Sequence, residues 1–133
     1  MRHFTIEEAR GRIPELETIF ALCGEIRGKA RTRAEGMKRL ESGPSADPAE
    51  AAIVRSQIEF LAGCLEQALQ GIERMGATLK GLEPGLVDFP HRLADGREVY
   101  LCWREGEREI THYHGLTDGF SGRKPLPQRP VRH

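Results

Sequence analysis

The chain has 133 residues, the length of one domain with a modest core. Lys plus Arg and Asp plus Glu both number 20, so the formal net charge is zero; global charge therefore gives no reason to expect nucleic acid or an anionic membrane as partner. No apolar run approaches the roughly 18 residues of a membrane span, and the opening MRHFTIEEAR lacks the apolar stretch of a signal peptide.

The three cysteines form no paired motif, which fits a reducing compartment better than a disulfide framework. A cytoplasmic single domain over residues 1–133 is the expectation.

The first element is announced by Thr5-Ile6-Glu7-Glu8, a capping box in which the Thr5 hydroxyl accepts from the Glu8 amide and Glu8 reaches back. Pro14 interrupts the helix it sits in, and a long helix starts afresh near it, where proline suits the first position. Helix is expected over 5–41. Steps of three and four then pick out Leu16, Ile19, Cys23, Ile26, Ala30, Arg33, Met37 and Leu40, apolar but for Arg33. The stretch SGPSADP, at 42–48, is a break, and Asp47-Pro48 supplies the cap and first proline of a second helix over 48–80. Val54, Ile58, Leu61, Leu65, Ala68, Ile72, Met75 and Leu79 fill every position of its stripe.

Two such stripes joined by a short break predict a long antiparallel helical hairpin with coiled-coil-like packing. Folding about residue 44 sets Leu16 against Ile72, Ile26 against Leu61, and Ala30 against Ile58. Cys23 falls beside Cys64, where two thiols read as small core filler ahead of a redox pair. Phe20, Leu22, Ile53, Phe60 and Leu69 flank the stripes and also need cover, each forgoing roughly 1.5–3 kcal/mol if left wet. A homodimer pairing two hairpins into a four-helix bundle covers them; the C-terminal sheet is the alternative. The basic run from Arg27 to Arg39 holds Glu35 as its one acid and reads as a solvated face, partly neutralised by Asp47, Glu50 and Glu59, rather than as a nucleic-acid helix.

After Leu79 the character changes. GLVDFPHRL, REVYLCWR and REITHYHG are short β-branched and aromatic stretches divided by ADG and EG, which predicts a small three-stranded antiparallel sheet over 86–115. The fold class is thus α+β. A three-residue ADG loop with Gly96 in the left-handed region pairs Val87 with Trp103, Phe89 with Leu101 and His91 with Val99. A two-residue EG turn pairs Leu101 with Ile110 and Val99 with His112. One face then carries Val87, Phe89, Val99, Leu101, Trp103 and Ile110, with His91, His112 and His114 at one end. Asp88, Cys102, Tyr100 and Tyr113 take the other face.

In that register His112 and His114 lie roughly 6–7 Å apart and share a face, a spacing that can chelate a metal. His91 falls about 10 Å from His112. A zinc site needs three or four ligands, and no fourth group joins these histidines. Hydrogen-bonded histidines at the end of a buried face outweigh a metal at His112 and His114, and no cofactor is expected. The loop DGFSGR offers backbone amides and the Arg123 guanidinium to an anion, set against glycines that make turns and an Arg123 paired with a carboxylate. Residues 124–133 read as an extended, basic, proline-rich tail.

FTIEEARGRIPELE, GLVDFP, REVYLCWREGEREI and YHGLTDGFSGR together resemble a bacterial family, domain of unknown function 2203, over nearly the whole chain. The family pattern of D-F-P, L-C-W, G-E, an aromatic-His pair and G-F-x-G-R falls on Asp88, Phe89, Pro90, Leu101, Cys102, Trp103, Gly106, Glu107, Tyr113, His114, Gly119, Phe120, Gly122 and Arg123. Tyr113 stands where the family usually has tryptophan, and His91 and His112 lie outside the pattern. The resemblance supports the fold and implies no activity.

Three functions compete. The first is a non-enzymatic homodimeric interaction or assembly module built on the helices. The second is a small-molecule or anion site, hydrolytic in one version, where His114 is the candidate general base, Arg123 the anion clamp and Asp88 a neighbour. The third is a metal site at His112 and His114. No Ser-His-Asp or Cys-His nucleophile fits, because Cys102 is placed facing away from His114.

Overall fold

A computed structural model describes residues 2–43 and 47–127. Two compact units are distinguished: one holds residues up to Glu17 together with those from Ile72 onward, the other Thr18–Gly71. Among the described residues no helix is long and apolar enough to cross a membrane.

In the first unit the capping box forms as expected: the Glu8 amide donates to Thr5 Oγ1 at 3.0 Å and the Thr5 amide to Glu8 Oε1 at 3.2 Å. Helix α1 (Ile6–Arg10) ends after five residues and α2 (Ile13–Ser42) begins across Gly11-Arg12. The interruption follows from Pro14, which has no amide proton for the Arg10 carbonyl and crowds it.

Helix α3 (Pro48–Arg74) starts on Asp47, whose Oδ1 accepts from the Ala49 amide at 2.9 Å. It ends six residues earlier than the expected 80. Gly76, with φ of +94°, closes it in a left-handed cap, where the Ala77 amide donates to Ile72 O and the Gly76 amide to Glu73 O. Leu79 accordingly lies in a strand, not on the helical stripe.

The sheet has five antiparallel strands in chain order rather than three: β1 (Thr78–Leu82), β2 (Gly85–Arg92), β3 (Glu98–Arg104), β4 (His112–His114) and β5 (Lys124–Pro125). Of the expected tail, 124–125 is therefore the edge strand; residues 128–133 lie outside the described residues. Between β2 and β3 the register is the expected one, with Val87 on Trp103, Phe89 on Leu101 and His91 on Val99. Gly96, at φ of +91°, takes the left-handed position of the three-residue loop.

The β3–β4 register differs. Tyr100 pairs with His114, Leu101 with Tyr113 and Cys102 with His112, a slip of three residues from the expected pairing. The cause is the segment 105–111, which is no two-residue turn. The Glu107 amide bonds back to Arg104 O, the Glu107 carboxylate takes the Arg104 amide at 2.7 Å, and Trp103 Nε1 donates to Glu107 O at 2.9 Å. The chain rejoins the sheet only at His112. An odd slip exchanges faces, so His112 and His114 leave the Val87–Phe89–Leu101 side for the Asp88–Cys102 side.

The core of this unit is built from Phe4, Leu16, Ile72, Phe89, Leu101 and Trp103, all essentially buried. The Phe4 and Phe89 rings meet edge to face at 5.1 Å. The Phe4 amide donates to Pro90 O and His91 Nδ1 donates to Phe4 O, both at 2.7 Å, so the segment before α1 lies along the end of β2.

In the second unit the expected stripes are mostly covered, and so is Phe20, which was expected on a flank and is 4% exposed. Cys23 and Ile26 are buried, Ile19, Ala30, Met37 and Leu40 half-buried, and Arg33 exposed. On α3, Val54, Ile58, Leu61, Leu65 and Ala68 are half-buried, while their neighbours Ile53 and Phe60 are exposed. A side-chain carbon on Gly71 would come within 3.4 Å of Ile19 Cδ1, and Lys29 and Arg33 line one groove with Ile53 and Phe60. Of the flanking residues, Phe20 is buried and Leu69 half-buried, while Leu22, Ile53 and Phe60 are exposed.

Candidate functional site

Strands β2, β3 and β4 each contribute one residue to a buried polar cluster. Asp88, Cys102 and His114 are 2%, 1% and 3% exposed, and one ligand-type atom from each lies within 4.8 Å of the other two. The register explains the convergence: Asp88 sits opposite Cys102, and Cys102 and His114 lie on adjoining strands with their side chains on one face. The expectation that Cys102 faces away from His114 is thus overturned by the β4 slip.

His114 uses both ring nitrogens. Nε2 is 2.9 Å from Asp88 Oδ2, and Nδ1 is 2.8 Å from Gly115 O. A carbonyl can only accept, so Nδ1 carries a proton and donates it. A second proton lies between Nε2 and Oδ2, on imidazolium or on carboxylic acid, and either way the pair is neutral overall. The Tyr100 ring tilts against the imidazole with centroids 5.5 Å apart, and the Lys80 ammonium stands 6.0 Å from the Tyr100 centroid. Burial raises the Asp88 carboxyl above its ordinary value; the hydrogen bond and charge of His114, and Lys80, offset this in part. The Cys102 thiol is pushed up to about 11, first by burial and then by the Asp88 carboxylate and Glu107, with Arg123 opposing. The site therefore holds a neutral dyad and a protonated thiol, with no lone pair on His114 turned to solvent and no thiolate nucleophile.

Gly115 is itself fixed. Its amide donates to Asp118 Oδ2 at 3.1 Å, and a side-chain carbon on Gly115 or Gly122 would come within 2.6 Å of the Asp118 side chain. The glycines of GLTDGFSGR thus make room for Asp118, which holds the carbonyl that orients His114.

Arg123 is 16% exposed at its side chain and pairs with Glu107, Nη2 lying 3.2 and 3.0 Å from the two carboxylate oxygens. Its guanidinium also covers the Phe120 ring at 4.8 Å. Of the expected ligand residues, Asp88 and His114 therefore touch one another, while Arg123 is held by a carboxylate.

Of the expected metal pair, His114 belongs to the three-residue group and His112 does not. His112 Nδ1 is 2.8 Å from Thr111 Oγ1, and the residue lines a cleft of about 960 Å³ with His3 and His91.

Cys102 and Glu107 are the residues whose place the sequence reading missed. The Asp88–Cys102 pairing was available from the ADG loop. Glu107 as the Arg123 partner was not, because that contact spans 16 residues and depends on the 105–111 excursion.

The motif residues Asp88, Cys102, Trp103, Glu107, His114 and Arg123 thus form two linked groups, the Asp88–Cys102–His114 cluster and the Trp103–Glu107–Arg123 clamp. No curated protein and no solved structure matches the chain. The family model described as "Uncharacterized conserved protein (DUF2203)" matches residues 2–126, and the chain belongs to that family.

Proposed function

We propose that the protein is a non-enzymatic assembly module that forms a homodimer through α2 and α3. In this reading the two helices are a coiled-coil-like antiparallel hairpin, and two hairpins close a four-helix bundle. The observation that carries it is the exposure of Phe60 and Ile53, 71% and 59%, in one groove of about 520 Å³ with Ala52 and Leu61.

Side chains of this size contribute roughly 1.5–3 kcal/mol each when fully buried. Ile53 and Phe60 are two turns apart on one side of α3, so a two-fold axis near Ser56 and Gln57 sets each Phe60 over the other copy's Ile53, a self-complementary contact. Lys29 and Arg33 border the groove, and Glu50 and Glu59 on α3 supply opposite charge. None of the three cysteines is in a disulfide, which supports a cytoplasmic setting.

Sedimentation of tag-free protein at tens of micromolar tests the reading. A dimer that Phe60→Glu converts to a folded monomer supports it; a monomeric wild-type chain rejects it.

A further inference from the structure

We propose that Asp88, Cys102 and His114 form a binding site for one divalent transition-metal ion, zinc in the first place, through Asp88 Oδ2, Cys102 Sγ and His114 Nε2. The three residues stand on three adjacent strands with their ligand-type atoms within 4.8 Å of one another, and all are at most 3% exposed. Ligands around a tetrahedral zinc ion lie roughly 3.2–3.8 Å apart, given bonds of about 2.0–2.3 Å. Side-chain rotations of about 1 Å, which draw the widest pair together and part Nε2 from Oδ2 beyond their present 2.9 Å, complete the site. One sulfur, one imidazole nitrogen and one carboxylate oxygen suit zinc or cobalt and exclude magnesium and calcium, which take oxygen ligands.

A second observation points the same way. Metal-binding imidazoles are oriented by an outer partner on the other ring nitrogen. His114 has that partner in Gly115 O at 2.8 Å, and Gly115 is held in turn by Asp118. The ring thereby turns Nε2 toward Asp88 and leaves Nδ1–H occupied, the tautomer a metal requires.

Charge also balances. A divalent ion with one carboxylate, one thiolate and a neutral imidazole sums to zero, the form of charge that tolerates burial. Binding releases two protons, one from the Cys102 thiol and the one shared by Asp88 and His114, while Nδ1 keeps its own. No electron is transferred. Three protein ligands leave a fourth position for water or another donor. The ion ties β2, β3 and β4 together, so binding adds to the stability of the sheet.

Cobalt(II) is the probe. Tag-free protein titrated with Co²⁺ near pH 8 is expected to take one equivalent per chain, with a thiolate-to-cobalt charge-transfer band in the near ultraviolet that Zn²⁺ abolishes. Cys23→Ser/Cys64→Ser keeps the band and Cys102→Ser loses it. Below neutral pH the apparent affinity falls about 100-fold per pH unit, because two protons compete. Asp88→Asn, whose amide can donate to His114 Nε2, serves as a folded variant: Zn²⁺ raises the melting temperature of the wild type and not of this variant. Absence of a band, a band that survives Cys102→Ser, or equal zinc stabilisation of wild type and Asp88→Asn each overturns the proposal.

Discussion

His114 Nε2 and Asp88 Oδ2 are 2.9 Å apart, with both side chains 3% exposed, and one proton lies between them. Because Gly115 O fixes the other ring proton, the pair behaves as a single neutral unit linking β2 to β4. Burying a neutral unit avoids the desolvation cost of an isolated charge, several kcal/mol in a protein interior. Its stability contribution therefore depends on keeping that proton.

The pH dependence follows. The Asp88 carboxyl is held above its ordinary 3.8 by burial, against the opposing pull of His114 and Lys80. A group raised in the folded state stabilises fully below its unfolded value and loses that contribution as pH rises through the folded value. Asp88 thus makes stability decline as pH rises from its ordinary 3.8 through its raised folded value. Asp88→Asn removes this decline and keeps the fold, since its amide donates to Nε2. Glu8 and Asp95, both lowered, act in the opposite sense and cancel in the comparison. Urea unfolding of the two proteins at a series of pH values checks this; parallel profiles would mean that the proton is not shared as described. His114→Ala costs about 3–5 kcal/mol where Asp88 stays ionised, and less as pH falls and the carboxyl protonates.

The Glu107–Arg123 pair is expected to hold the excursion between β3 and β4. One carboxylate takes two contacts from Arg123 Nη2 and one from the Arg104 amide, and the Glu107 carbonyl takes the Trp103 indole N–H. Hydrogen bonds to charged groups contribute about 1.5–3 kcal/mol each. Glu107→Ala therefore destabilises by about 3 kcal/mol and leaves a mostly buried guanidinium unpaired. Glu107→Gln, which still accepts from Arg104, loses roughly half as much. Denaturant midpoints report both. A loss under about 0.5 kcal/mol for the alanine variant, the level of an ordinary surface change, would remove this role.

How far the fold was legible depended on the range of the interactions that set each part. The helical stripes, the Thr5 box and the β2–β3 register were readable, because each rests on spacing or on a short loop such as the one closed by Gly96. The end of α3 was readable too: Gly76 is the left-handed cap, and counting Leu79 as one more stripe position concealed it. β5 was not, because Lys124-Pro125 carries no strand pattern and pairs only as an edge. The face of His114 was also hidden. It depends on a three-residue slip set by Glu107, whose anchors Trp103 and Arg123 cannot be assigned from local sequence. Asp88 and His114 could be picked as site residues from chemistry alone, whereas their mutual contact and Cys102 beside them required the register.

Cysteine reactivity offers a direct reading of the cluster. Cys64 is half-buried, whereas Cys23 and Cys102 are each 1% exposed and the Cys102 thiol is pushed up to about 11. Thiolate is the reacting form, and little is present on Cys102 near pH 8. Brief alkylation of native protein with iodoacetamide is expected to add one group, at Cys64, by intact and peptide mass. Modification of Cys102 at a comparable rate would place it in an open, activated setting and contradict the buried cluster.

Phe60 supplies the sharpest test of self-association. At 71% exposure it gains little from the single chain, so replacing it should leave folding nearly unchanged. In a two-fold dimer the same side chain is used twice. A truncated aromatic anchor commonly costs 2 kcal/mol or more, so two cost about 4 kcal/mol, close to 1000-fold in the dissociation constant. Phe60→Glu adds a charge that must be desolvated at the contact, which pushes the effect further. Sedimentation equilibrium across a hundredfold concentration range, with circular dichroism to verify helix content, separates the outcomes. A helical monomer from Phe60→Glu beside a wild-type dimer supports the contact at this groove, while a variant that dimerises as the wild type does would move the interface to another face.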